Sequence, residues 1–163
     1  MKWRRKVRLS KMFVAIRIRS SIGLREEIDE TLRMLNLKYA NNCIVLPETE
    51  SYKGMLEKVK PVTTYGMISE EMLIALLKKR GRVLGNKRLT EAALKQATGY
   101  DSFDKLASDL LSGKIKIKQL TQLKQPFRLT PPSKGFRSTK LHYPRGDLGN
   151  RGEKINELLK RMI

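Results

Sequence analysis

Cysteine and histidine occur once each in the 163 residues. A lone thiol closes no intrachain disulfide, and no Cys/His set stands at metal-ligand spacing. Cys43 lies in an apolar run and reads as a small buried residue, which suits a reducing, cytoplasmic setting. Long apolar runs are missing too. No stretch approaches the roughly 18 apolar residues of a membrane span. After the basic MKWRRKVRLSK only MFVAI precedes Arg17, too short for the apolar core of a signal peptide. A phosphate-cradling G-x-x-x-x-G-K-[ST] loop is absent; Ser112-Gly113-Lys114 lacks both the first glycine and the following hydroxyl. Paired carboxylates such as Glu26/Glu27 and Glu70/Glu71 stand on predicted helices, where helix-dipole and solubility roles suffice. These absences leave no catalytic residue, no metal and no cofactor to propose, and the chain reads as a non-enzyme.

What is abundant is positive charge. Thirty-five Lys and Arg stand against 16 Asp and Glu, a net of +19. The sorting says more than the sum. Residues 1–25, 72–90 and 110–146 contain no acid at all, yet carry 24 of the 35 cations. The rest of the chain is slightly acidic. Like charges at that density repel unless a polyanion neutralises them. A single charge run is often just a solvated face. Three acid-free blocks covering half the chain point to nucleic acid, with the blocks meeting on one surface or reaching out as tails.

The apolar pattern gives the scaffold. Apolar content of 40% supports a packed fold. MFVAIRIR over 12–19 alternates as a strand, with Met12, Val14, Ile16 and Ile18 on one face and Phe13, Ala15, Arg17 and Arg19 on the other. Those two arginines face either solvent or phosphate. Helices are predicted over 24–35, 51–59 and from Ser69 to Arg80, with strands over 43–46 and 62–68 between them. The order β-α-β-α-β-α with short loops predicts a two-layer α/β sandwich over 12–81. Residues 1–11 read as a basic tail. Residues 82–163 read as an extension: short helices over 91–97 and from about 102 to 112, an irregular basic loop over 126–144, and a terminal helix. In that helix Ile155, Leu158, Leu159 and Met162 form a docking stripe, and Asn150 with Glu153 resembles a capping box.

Within the cationic blocks the candidate RNA contacts are Arg17, Arg19, Lys78, Lys79, Arg80, Arg82, Lys87, Arg88, Lys134, Arg137, Lys140, Arg145 and Arg151, for phosphates. Phe136, His142 and Tyr143, interleaved with them, are candidates for stacking on bases. The plainer alternative has those rings tucked onto the core.

Several pieces also resemble a known family: MFVAIRIRSSIGL, TLRMLNL, VLPETESYKGMLEKVKPVTTYG, LLKKRGRV with NKRLTEAAL, QPFRLTPPSKGF, and RGDLGNRGEKINELLKRMI. In order and spacing they are similar to the universal large-subunit ribosomal protein L-thirty family, called L-seven in eukaryotes, with the archaeal form the nearer match. The resemblance covers roughly residues 12–163. It implies an α+β fold, a ferredoxin-like core plus a C-terminal extension. It implies a structural constituent of the large subunit that binds large-subunit ribosomal RNA, without a cofactor. Implied partners are that RNA, with the small 5S rRNA as a candidate, and neighbouring ribosomal proteins, in one copy per ribosome rather than as a homo-oligomer. A free-standing nucleic-acid-binding protein or RNA chaperone is the alternative. A membrane surface is a poor partner, because the terminal helix mixes Lys154, Lys160 and Arg161 with Glu153 and Glu157.

Overall fold

A computed structural model describes residues 12–115 and 117–163. The basic stretch 1–11, read above as a tail, lies outside the described residues. The chain runs β1 (Met12–Arg17), α1 (Glu26–Met34), β2 (Asn42–Pro47), α2 (Glu50–Val59), β3 (Thr63–Met67) and α3 (Glu70–Arg80). It continues with α4 (Glu91–Thr98), α5 (Phe103–Leu111), β4 (Phe127–Arg128), β5 (Gly149–Asn150) and α6 (Ile155–Met162).

The local chemistry sets most boundaries. Thr49, Ser69, Thr90 and Ser102 each accept a backbone N–H of the first turn and start α2, α3, α4 and α5. Glu70 and Glu71 open α3, and Lys78, Lys79 and Arg80 close it, matching the helix dipole at both ends. Asn36, at φ 57°, turns the chain out of α1 in the left-handed conformation that Asn tolerates. The expected capping box at α6 does not form. Asn150 Oδ1 instead accepts the Gly152 N–H at 2.9 Å, and a 3-10 turn over Gly152–Lys154 leads into the helix.

The sheet order is β4-β2-β1-β3-β5. β2 and β3 both pair antiparallel with β1, so β1 fills the gap of a split β-α-β unit. This is the ferredoxin-like α+β core that the family resemblance implies. The two-residue strands β4 and β5 extend it at either edge, antiparallel to β2 and parallel to β3.

Every residue of β1 is buried, so its two faces do not divide into a wet and a dry one. Phe13 and Ala15, with Ile44 and Leu46 of β2, pack under Leu32 and Leu35 and under Leu56 and Val59, from the α1 and α2 segments. Met12, Val14 and Ile16, with Cys43 and Val45, pack on the opposite face under α3, α5 and α6. The predicted stripe Ile155, Leu158, Leu159 and Met162 is fully buried there. Two helical layers therefore enclose the sheet: α1 and α2 on one face, and on the other α3 joined by α5 and α6 of the extension. Gly66 marks how closely that cover approaches. A Cβ there would lie 2.1 Å from the Gly152 carbonyl oxygen. Cys43 is wholly buried, and burial pushes its thiol pKa up, so it stays protonated.

Candidate nucleic-acid interface

The loop between β4 and β5 folds over the end of α6. Thr130 and Ser133 donate their backbone N–H groups to the Met162 and Arg161 carbonyls at 3.1 and 3.0 Å, satisfying helix-end acceptors that would otherwise lack partners. Further along, the Asp147 carboxylate, 2% exposed, accepts the backbone N–H groups of Arg137 and Ser138 and pairs with the Arg151 guanidinium. One buried acid thus fixes the backbone of a cationic loop from inside. Gly146 completes the fold-back: a Cβ there would lie 2.2 Å from the Leu141 carbonyl oxygen.

This folding leaves a concavity of about 330 Å³. Lys134, Arg137, Arg151 and Arg161 line it, together with Phe136 and Tyr143. Asp147 is the only carboxylate among its described lining residues, and it is already committed to Arg151 and to backbone. Burial, and then the neighbouring Arg161, lower the Arg151 pKa from its ordinary value. Cations held this close without free carboxylates make an anion site. Among the described residues the buried Arg151 Nε finds no partner, which leaves one more donor unspent. Sequence reasoning placed Lys134, Phe136, Arg137, Tyr143 and Arg151 in one interface, and they do converge here. Lys140, His142 and Arg145 lie exposed on the same loop.

The second cationic block reaches the third. Residues 82–88 form a hairpin, with Arg82 bridged to Arg88 and the Val83 N–H donating to the Lys87 carbonyl at 3.0 Å. Backbone bonds join it to 122–124: Leu84 N–H to Gln122 O at 3.1 Å, and Lys124 N–H to Arg82 O at 2.8 Å. Lys87 and Arg88 are exposed on this hairpin, and Lys78 and Lys79 are exposed in the last turn of α3. Lys78 lies 5.7 Å from the Phe103 ring centroid.

Other expected contacts are placed differently. Arg17 is 1% exposed and turns inward, not to phosphate. Its guanidinium donates to the Leu37 and Lys38 carbonyls at 2.7 Å each, to Arg19 O at 2.9 Å and to Ser21 Oγ at 2.8 Å. A buried cation is tolerable only when its donors are met, and here backbone oxygens meet them. Burial lowers the Arg17 pKa from its ordinary value. Arg80 is half-buried and donates to Thr130 Oγ1 and Ile163 O at 3.1 and 3.0 Å. It ties α3 to the chain end. Phe136 is half-buried: it packs against the core and also lines the concavity. Tyr143 has Arg151 5.2 Å above its ring. Arg19 is exposed, and Arg82 is half-buried with a bond to Asn86 O at 3.3 Å.

The profile of the ribosomal protein L30p/L7e family matches residues 13–62, the strand–helix–strand–helix part of the core. The large ribosomal subunit protein uL30 of Archaeoglobus fulgidus is 46% identical over 93% of this chain and 99% of its own length. Those of Methanosphaera stadtmanae and Methanocorpusculum labreanum are 45% and 40% identical, over 93% of this chain and 100% and 99% of theirs. The chain belongs to the ribosomal protein L30p/L7e family. The relatives span the extension as well as the core, so the cationic concavity lies in a part that the family shares in length. Membership also accounts for the want of catalytic machinery, because this family is structural and not enzymatic. Among the described residues no group of three His, Cys, Asp or Glu side chains could hold a metal, and no helix is long and apolar enough to cross a membrane.

One cationic lining residue, Arg161, was missed in the sequence, as was the anchoring role of Asp147. Arg161 lies off the Ile155–Leu158–Leu159–Met162 stripe, and a helical wheel would have pointed it away from the core. Its guanidinium reaches the Ser133 and Gly135 carbonyls at 3.4 Å, which no spacing rule connects to it.

Proposed function

We propose that this structural constituent of the large ribosomal subunit holds ribosomal RNA with the cationic concavity of the extension and with the 82–88 hairpin. The carrying observation is the convergence of Lys134, Arg137, Arg151 and Arg161 around one cavity whose single carboxylate is internally spent. Cations so placed neutralise backbone phosphates and release counterions, which gives affinity without reading sequence. Shape, and contacts from exposed side chains such as Lys140, His142 and Arg145, would supply the rest. Exposed Lys78, Lys79, Lys87 and Arg88 would add further phosphate contacts. Arg17 and Arg80 act from inside, as supports.

The small 5S rRNA is among the proposed RNA partners, neighbouring ribosomal proteins are partners too, and one copy serves each ribosome. Residues 12–81 act as the scaffold, adding Lys78 and Lys79, and 82–163 as the extension that carries most of the contacts. The test is co-sedimentation. The protein should run with large subunits at moderate salt and leave them at high salt. A Lys134→Glu/Arg137→Glu variant should leave at markedly lower salt. If that variant is retained like the parent, the concavity is not the RNA contact.

A further inference from the structure

A second concavity, of about 220 Å³, opens where the α1–β2 loop meets the chain entering β4. Lys38, Lys124 and Arg128 surround it, Tyr39 and Gln125 form its walls, and no carboxylate is among its described lining residues. None of the three cations makes an ion pair with a described residue, and all three are exposed. Tyr39 is 68% exposed, an unusual state for a large ring in a protein whose other tyrosines are half-buried or buried. Gln125 carries a buried Nε2 with no partner among the described residues. A buried amide donor left unsatisfied is costly, and it marks a place where an acceptor belongs.

The walls are held, not loose. The two Arg17 bonds to the Leu37 and Lys38 carbonyls fix the backbone beside Tyr39. On the other side Asn42 pairs with Arg128 in the sheet, and Leu129 N–H donates to Asn41 O at 3.0 Å. The buried arginine therefore positions this cavity and does not contact the ligand itself.

We infer that this cavity binds one unpaired RNA nucleotide: its base on the Tyr39 ring with an edge acceptor at Gln125 Nε2, and its flanking phosphates on Lys38, Lys124 and Arg128. The site is smaller than the roughly 300–1,000 Å³ usual for a cofactor pocket, and it suits a single base. A free aromatic face beside cations is the pattern that single-stranded nucleic acid uses, because every base offers a π-face and every linkage a charge. A paired RNA helix cannot use it, since its bases are stacked away. The inference rests on the RNA-binding reading above and adds to it a second, single-strand-specific site.

The test uses the full chain and two probes: an unpaired RNA of about 12 nucleotides and a blunt RNA duplex, each followed by fluorescence anisotropy at fixed salt. Tyr39→Ala should weaken the unpaired probe by about 5- to 150-fold and leave the duplex unchanged. Tyr39→Phe should bind as the parent does. A thermal melt of each variant checks that the exposed position leaves the fold intact. Equal binding of the unpaired probe by parent and Tyr39→Ala overturns the inference. So does a Glu-rich peptide that binds in a Tyr39-dependent way while neither RNA does, which would make the cavity a seat for an acidic protein segment. Lys134→Glu/Arg137→Glu, run alongside, separates the two readings. If it loses duplex affinity while Tyr39→Ala changes nothing, only this inference fails. If neither variant changes either probe, the RNA-binding concavity fails with it.

Discussion

The two layers that cover the sheet are made differently. The α1–α2 layer comes from one contiguous stretch, 26–61, and carries seven acids against five bases. Its surface pairs are local, such as Arg33 with Asp29 and Lys60 with Glu57, at 2.8 and 3.0 Å. Exposed pairs of this kind add little stability. The opposite layer is assembled from α3, α5 and α6, brought together over long sequence separations, and cationic loops are slung from it. Both layers bury leucines equally well: Leu32 and Leu56 on one side, Leu76 and Leu159 on the other, are all fully enclosed. Apolar packing is thus symmetric about the sheet, while charge is not. Folding needs only the first property, so the second calls for a partner.

If packing is symmetric, Leu159→Ala in α6 should destabilise as much as Leu56→Ala in α2, each by about 2–5 kcal/mol. Denaturant melts should show one transition for both variants. A separate early transition for Leu159→Ala would break the symmetry and make the extension an independent unit. Arg17→Ala should come next, at about 2–4 kcal/mol, because it strands the Leu37 and Lys38 carbonyls in a dry site. Arg17→Lys should recover only part of this, since an ammonium cannot fork to both carbonyls and Ser21 at once. Full recovery by lysine, read in the same melts, would mean that charge and not geometry is what the site needs.

The charge asymmetry is sharpened by a paired swap. Lys134→Glu/Arg137→Glu should lower the salt slope of RNA binding by about 2 while altering stability by no more than about 0.5 kcal/mol. Lys58→Glu/Lys60→Glu on the acidic layer should leave the salt slope alone and cost no more than about 1–2 kcal/mol, through the lost Glu57 pair and the helix end. Equal effects from the two swaps would mean that net charge alone governs binding. The smallest expected effect is Ser102→Ala, which removes the cap of α5 and should cost about 1 kcal/mol with RNA affinity intact.

The long elements were readable because their signals are local. Ser69 with Glu70 and Glu71 ahead of Lys78–Arg80 announces α3 at both ends, and the 155–158–159–162 stripe announces a buried face. β4 and β5 were not readable: two residues are too few to show alternation, and their partners are more than 80 residues away in sequence. The same limit explains Arg17. Alternation put it on one face with Phe13 and Ala15, correctly, but only the chain fold brings the Leu37 and Lys38 carbonyls to it. Composition pointed to the candidate interface because acid-free blocks are visible along the chain. It could not single out Arg161 or Tyr39, whose roles depend on which loop each one faces.

Lysine reactivity toward an acylating reagent, compared between the free protein and native large subunits, tests the sorted-charge account most directly. Lys87, Lys134 and Lys140 should become protected in the subunit, while Lys53, Lys58 and Lys60 stay reactive. Protection of the second group with continued reactivity of the first would place the RNA on the acidic layer and contradict it.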